Sequence, residues 1–191
     1  MNILLAGVGG QGTVLASRLL AQCGLDRGEA AHTAETIGMA QRGGSVVSHV
    51  RLGDNMFSPL IPKGTADVII GFEPAEAVRC VDYLGPAGCV VVSTRPIRPV
   101  ASLLAGGRYD AGDMLAFLRL KAGRLITVDG DALLREGLPA RALNIALLGA
   151  AAAAGSIGFS ETDIAAAIRA LLPQKHWEAN MRALQLGALC V

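Results

Sequence analysis

The chain has 191 residues, enough for one domain with a sizeable core, and a formal net charge of +1. Only 17% of its residues are charged, against roughly 25% in an average globular chain, while 52% are apolar and 24 residues are glycine. The charge balance and the lack of basic clusters exclude nucleic acid, whose binding rests on phosphate neutralisation by Lys and Arg, and the apolar surplus points to surface that meets a protein partner.

The chain opens on the apolar run Asn2 to Ala6, followed by Gly7-Val8-Gly9-Gly10-Gln11-Gly12 and then a helix-period segment from Thr13. This order predicts a strand, a glycine-rich loop and a helix, the first β-α unit of a Rossmann-like α/β fold. Glycine allows positive φ and close backbone approach, and the first N–H groups of a helix lack partners within it, so the loop suits a phosphate or carboxylate. A tight crossover that binds nothing is the competing reading. The first helix is predicted from Gln11 or Gly12 to about Gln22, stopped by Gly24. Ala30 to Thr33 is a short second strand with no clean acidic residue for a ribose, which weakens a dinucleotide reading; Glu35 lies near that place but precedes Thr36 to Arg42, which reads as a helical turn leading to Gly43-Gly44.

Ser45 to Leu52 reads as a strand, with Val46, Ser48, Val50 and Leu52 on one face and Ser45, Val47, His49 and Arg51 on the other. His49 is thereby expected to face solvent. A turn at Gly53-Asp54-Asn55 predicts an antiparallel hairpin with Phe57 to Ile61. Ala66 to Phe72 and Gly88 to Thr94 are β-branched runs suited to strands buried on both faces, separated by a helix opening at Glu73-Pro74 with Ala77, Val78, Val81 and Leu84 turned inward. Arg95 to Arg108 is an extended surface connection, Asp110 to Leu120 a helix, and Arg124 to Asp129 the last strand. Asp129-Gly130-Asp131 has the look of the magnesium motif of thiamine diphosphate enzymes. No paired Asn follows it, and it reads instead as a strand end and helix cap. The final third is helical: Ala140 to Ala154 with Asn144 buried and bonded to backbone, a capping box at Ser160 to Asp163 opening a helix that ends at Pro173, and a last helix from His176 to Leu189.

Cys23, Cys80, Cys89 and Cys190 form no C-x-x-C pair, and His32, His49 and His176 have no ligand spacing, so the chain encodes no local iron–sulfur or zinc site. Buried thiols in a reducing cytoplasm are expected. The start has no positive n-region, and the most apolar stretch, Ala142 to Gly158, falls short of the ~20 residues that span a bilayer, so a cytoplasmic chain is expected.

Four stretches together carry a family resemblance: Gly7 to Gly12, Ala34 to Val46 with its central Gly38-Met39-Ala40-Gln41-Arg42-Gly43-Gly44, Asn144 to Gly149, and Glu178 to Leu184. Over essentially the full length the chain resembles the gamma-type subunits of 2-oxoacid:ferredoxin oxidoreductases, with its nearest likeness in the small (beta) subunits of the indolepyruvate branch. The order of elements read above predicts a three-layer α/β/α architecture, whose mostly parallel sheet carries an antiparallel hairpin, and the resemblance implies one gamma-type domain over residues 1–191. It also implies a share in CoA-dependent oxidative decarboxylation of a 2-oxoacid, an aryl pyruvate on the form of the Gly38 to Gln41 stretch. Thiamine diphosphate, Mg and iron–sulfur clusters would sit on partner catalytic subunits, which pass electrons to ferredoxin, and this chain alone would be inactive. Gly7, Gly9, Gly10, Gln11 and Gly12 are the candidate contacts for coenzyme A. Glu35, Met39, Gln41, Arg42, Gly43 and Gly44 are the candidate partner interface, with Arg42 as its anchor. Two other classes compete: an NAD(P)-binding Rossmann dehydrogenase, and a purely structural assembly subunit whose glycine loop packs on protein.

Overall fold

The computed structural model describes residues 1–37, 44–54, 56–98 and 109–191. Its centre is a six-stranded sheet built from β1 (Asn2–Val8), β2 (Ala31–Ile37), β3 (Ser45–Leu52), β4 (Ala66–Gly71), β5 (Leu84–Ser93) and β6 (Arg124–Val128), in the order β2-β3-β1-β4-β5-β6. β1, β4, β5 and β6 run parallel, and β3 runs against both β1 and β2. The predicted mostly parallel sheet with an antiparallel hairpin is therefore present, but the hairpin is β2–β3. Phe57 to Ile61 forms no strand; instead Ile61 is buried against Leu4, Ala66 and Ile69, an anchoring contact that the turn chemistry upstream did not reveal.

α1 (Thr13–Asp26) outruns its predicted end. Gly24 lies buried inside it because a Cβ there would crowd Leu52 Cδ2 at 2.7 Å, and the stop is supplied by Arg27 and Gly28, the latter at φ 77°. β2 is longer than predicted, since Thr36 and Ile37 continue its ladder opposite Val47 and Val46 rather than starting a helical turn. The rest of that predicted turn lies outside the described residues, as do 99–108 of the predicted connection. α2 (Pro74–Arg79) is short, with Pro74 in its first turn and the Glu73 side chain capping the Glu76 amide at 3.0 Å; Val81 and Leu84 have left it.

α3 (Ala111–Lys121) is capped by Asp110 and α4 (Gly130–Arg135) by Asp129. α5 (Leu143–Ala153), α6 (Glu161–Leu171) and α7 (Trp177–Ala188) close the chain. The capping box at Ser160 and Asp163 forms as its residue types require, and Arg27 reaches across from α1 to pair with Asp163 at 2.6 Å.

Two apolar layers sandwich the sheet. Ile3, Leu5, Val50, Val68, Ile70 and Val91 face α1 and α5, while Leu4, Ala6, Ile69, Val90 and Val92 face α2 and α3. α5 is apolar all round because it is itself sandwiched, with the sheet on one side and α7 on the other. That second contact is very close. A Cβ on Gly187 would overlap the Ala146 carbonyl, and one on Gly149 would overlap the Leu184 carbonyl. Gly187→Ala should accordingly lower stability by about 1–3 kcal/mol through overpacking, read from the midpoint of urea unfolding with the slope unchanged. An unchanged midpoint would mean that the two helices do not touch as described.

Candidate functional site

The glycine loop leaves β1 at the carboxyl end of the sheet and turns into α1 with positive φ at Gly10 (100°) and Gly12 (78°). Gln11 folds back over the turn: its Oε1 accepts from Val8 N–H at 2.8 Å and its Nε2 donates to the Phe72 carbonyl, also at 2.8 Å. Gly7 makes room for that side chain, since a Cβ there would stand 2.8 Å from Gln11 Oε1. Gly12 admits α5, where Asn144 Nδ2 donates to the Gly12 carbonyl at 3.1 Å and Asn144 Oδ1 accepts from Ile145 N–H at 2.9 Å. The buried, backbone-bonded Asn144 expected from the sequence is thus the residue that ties α5 to the loop. Gly9 N–H donates to the Gly44 carbonyl at 2.8 Å, so the glycine loop and the start of β3 meet.

Gly9, Gly10 and Gln11 form one wall of a cleft of about 330 Å³. Phe72, Ile97, Leu143 and Leu147 supply apolar surface, and Arg95, Arg141 and Asn144 supply donors. The cleft lies where open α/β sheets place ligands, beyond the carboxyl ends of the strands and beside the point where the sheet changes direction. Arg95 Nε pairs with Asp131 at 2.9 Å, and Arg141 makes no ion pair among the described residues. Two guanidinium groups and a helix start favour an anionic ligand with an apolar portion.

Glu73, fully buried behind the cleft, fastens its lip. Its Oε1 accepts from Tyr109 Oη at 2.5 Å and from Ile97 N–H at 3.3 Å. Burial, and then the hydrogen bond to Glu73, pushes the Tyr109 hydroxyl pKa up, so it stays a donor. Neighbouring Glu76 pairs through Oε1 with Arg79, and its buried Oε2 has no hydrogen-bond partner among the described residues.

Of the predicted interface residues, Glu35 is exposed on β2 and accepts from Ser17 Oγ at 3.1 Å, and Gly44 sits at the loop. Met39, Gln41, Arg42 and Gly43 lie outside the described residues. Glu35 is two strands from β1, because the reversed β3 occupies the place beside β1 where a dinucleotide fold puts its acid-bearing strand. Asp129 caps α4 and Asp131 pairs with Arg95, so the Asp-Gly-Asp carboxylates are engaged by the fold and do not fit as a magnesium pair. Among the described residues no cluster of three His, Cys, Asp or Glu could hold a metal. Burial pushes the Cys23 thiol up to about 12 and Cys80 to about 11, leaving both protonated.

Residues 2–190 match the family of pyruvate ferredoxin/flavodoxin oxidoreductases. The chain belongs to that family. It is 36% identical over 188 residues to the indolepyruvate oxidoreductase subunit IorB of Thermococcus kodakarensis, covering 97% of this chain and 93% of that one. The crystal structure of the pyruvate oxidoreductase subunit PORC of Thermotoga maritima superposes with a TM-score of 0.68 at 25% identity, covering 99% and 95% of the two chains. A 2-oxoglutarate:ferredoxin oxidoreductase from Magnetococcus marinus, solved with 2-oxoglutarate, coenzyme A and succinyl-CoA bound, shares the fold with a TM-score of 0.73 at 19% identity, over all of this chain and 30% of that one. The family expected from the four stretches is borne out, and with it the role of a gamma-type subunit of a 2-oxoacid:ferredoxin oxidoreductase.

Within this oxidoreductase subunit, sequence reasoning missed Arg95 and Arg141 at the cleft and Glu73 behind it. The only signal for Glu73 was its place before Pro74. His49 is a correction: it is 4% exposed, with Nδ1 accepting from Ile61 N–H at 3.2 Å and its ring edge-on to Tyr83 at 5.7 Å. The segment that fails to form a strand covers it. Burial lowers its pKa, so the folded state holds it neutral, and acceptance at Nδ1 requires that form. The unfolded chain therefore binds more protons below the ordinary His range near 6.5, and stability falls as the pH drops through that value. Urea unfolding at pH 7.5 and pH 5 should show a lower midpoint at pH 5, and His49→Gln should reduce that difference; an equal difference in the variant would remove His49 as its source.

Proposed function

We propose that this chain is the gamma-type subunit of an aryl-pyruvate:ferredoxin oxidoreductase, and that its cleft holds an anionic part of coenzyme A at the edge of the partner's active site. The observation that carries the reading is the convergence of Gly9, Gly10 and Gln11 with Arg95 and Arg141 around an apolar-floored cleft. Coenzyme A has that mixed chemistry, with phosphates beside an extended pantetheine arm. The full-length likeness to an indolepyruvate subunit supports the aryl-pyruvate assignment. The overall reaction takes a 2-oxoacid and coenzyme A to acyl-CoA and carbon dioxide, with two electrons passed to ferredoxin. Thiamine diphosphate with Mg and the iron–sulfur clusters, held by the partner catalytic subunits, supply the carbanion stabilisation and the electron path. Residues 1–191 act as one domain, as the family match over 2–190 supports. The subunit works in the cytoplasm; among the described residues no helix is long and apolar enough to cross a membrane.

A purely structural role is the second reading, favoured by the internal bonds of Gln11 and the Gly9 amide. Kinetics of the assembled enzyme separate the two. Arg141→Ala should raise the apparent KM for coenzyme A roughly tenfold with the aryl-pyruvate KM little changed, since a charge-assisted contact contributes ~1.5–3 kcal/mol. Unchanged kinetics in a folded complex would leave the structural role.

The purified chain alone should be colourless and give no turnover of any 2-oxoacid with ferredoxin or a viologen dye. Bound iron or turnover without a partner would overturn the division of labour. In the Gly38 to Gly44 stretch, Arg42→Ala should leave the isolated chain's melting temperature unchanged while weakening assembly by roughly tenfold or more, the usual effect of losing an interface Arg. Wild-type assembly of that variant would take Arg42 out of the interface.

A further inference from the structure

Glu73 is an uncommon choice for the start of α2. Capping the Glu76 amide needs only a short acceptor, and Ser, Thr, Asp and Asn are the residues that usually supply one. A fully buried carboxylate is costly by comparison, because it loses its water and must find hydrogen bonds in the fold. The extra length and the second oxygen are both in use. Oε2 accepts from Glu76 N–H at 3.0 Å, while Oε1 reaches the Ile97 amide, 24 positions on, and the Tyr109 hydroxyl, 36 positions on and just before α3. With two donors on one oxygen and one on the other, the carboxylate has a single orientation. Burial and the bond to Glu73 push the Tyr109 pKa up, so that donor persists.

These bonds bear on the cleft through two consecutive residues. Phe72 lines it, and its carbonyl accepts from Gln11 Nε2, which ties residue 72 to the glycine loop. Glu73 ties a second stretch of the lining, the segment after β5 that carries Arg95 and Ile97. That segment leaves the sheet well held as far as Arg95: Thr94 N–H donates to the Val128 carbonyl at 2.9 Å, Arg95 N–H to Ser93 Oγ at 3.2 Å, and Arg95 Nε pairs with Asp131. Ile97 is then fastened to Glu73. Residues 72 and 73 therefore fix the glycine loop and the Arg95 segment to one point of the chain, and Glu73 does so without lining the cleft itself.

We infer that Glu73, oriented by Tyr109, is a positioning residue that sets Ile97 and Arg95 against the glycine loop and so governs how tightly the cleft holds coenzyme A. This rests on the reading above that coenzyme A enters the cleft.

The test uses the enzyme assembled with its co-expressed catalytic subunit. Tyr109→Phe deletes one oxygen from a half-buried side chain and leaves the α2 cap intact. Glu73→Asp keeps the charge and supplies a preferred cap, yet falls one methylene short of Ile97 and Tyr109. Both variants should raise the Kd for coenzyme A, measured by calorimetry with no 2-oxoacid present, roughly fivefold, the usual effect of losing one hydrogen bond. The apparent KM for coenzyme A should rise in parallel, with kcat and the KM for indolepyruvate near the wild-type values. An unaltered coenzyme A Kd in both variants, with Arg141→Ala still raising it, would overturn the positioning role and leave the ligand of the cleft standing. A fall in kcat with equal changes in the two KM values would make Glu73 structural and overturn the role as well. An unaltered Kd in Arg141→Ala too would overturn the proposed cleft ligand, and the positioning role with it.

Discussion

Everything in this subunit is referred to β1. It is bonded on both edges, to the reversed β3 and to the parallel β4, and both of its faces are buried, with Ile3 and Leu5 on one side and Leu4 and Ala6 on the other. A strand held in this way has no freedom to slip, since a one-residue shift would exchange its two sets of apolar residues. The loop it delivers is therefore fixed in space. Leu52 N–H on the Met1 carbonyl and Gly9 N–H on the Gly44 carbonyl close the two ends of the β1–β3 pair, while Phe72 N–H on the Ala6 carbonyl sets the start of the β4–α2 turn. The last two of these bonds hold Gly9 and Phe72, both of which line the cleft.

The glycines divide by what they admit. Gly7 admits the Gln11 side chain, Gly12 admits Asn144, and Gly149 and Gly187 admit the backbones of neighbouring helices. Gly10, by contrast, has open space where a Cβ would stand and a φ of 100°, so its constraint is conformational, and it faces the cleft. A loop with the spacing of a dinucleotide fingerprint has here been built largely for close packing, and the part left for a ligand is the short arc from Gly9 to Gln11. The guanidinium groups beside the cleft come from elsewhere in the chain, Arg95 after β5 and Arg141 before α5.

The apolar composition is distributed in the same way. Most of it is consumed by a sheet buried on both faces and by α5, which has no polar side because α7 covers it. What remains outside is scattered, from Leu25 on α1 through Phe57 and Leu60 after β3 to Leu120 on α3 and Leu189 just beyond α7.

The sequence by itself determined the strands of the parallel sheet, the capped helices, the buried Asn144 and the family, because each depends on local signals: β-branched runs, caps, prolines and specific short stretches. These act over a few residues, which a single chain displays directly. Tertiary structure alone decided the pairing of β2 with β3, the end of α1, the burial of His49 and the meeting of Arg95, Arg141 and Glu73 around one cleft. In each case the deciding partner is distant or unsuspected. Leu52 lies 28 residues beyond Gly24, Ile61 lies 12 beyond His49, and Tyr109 lies 36 beyond Glu73. Pattern and propensity describe what a residue prefers next to its neighbours in sequence, whereas burial and hydrogen-bond satisfaction are settled by whatever the folded chain brings against it.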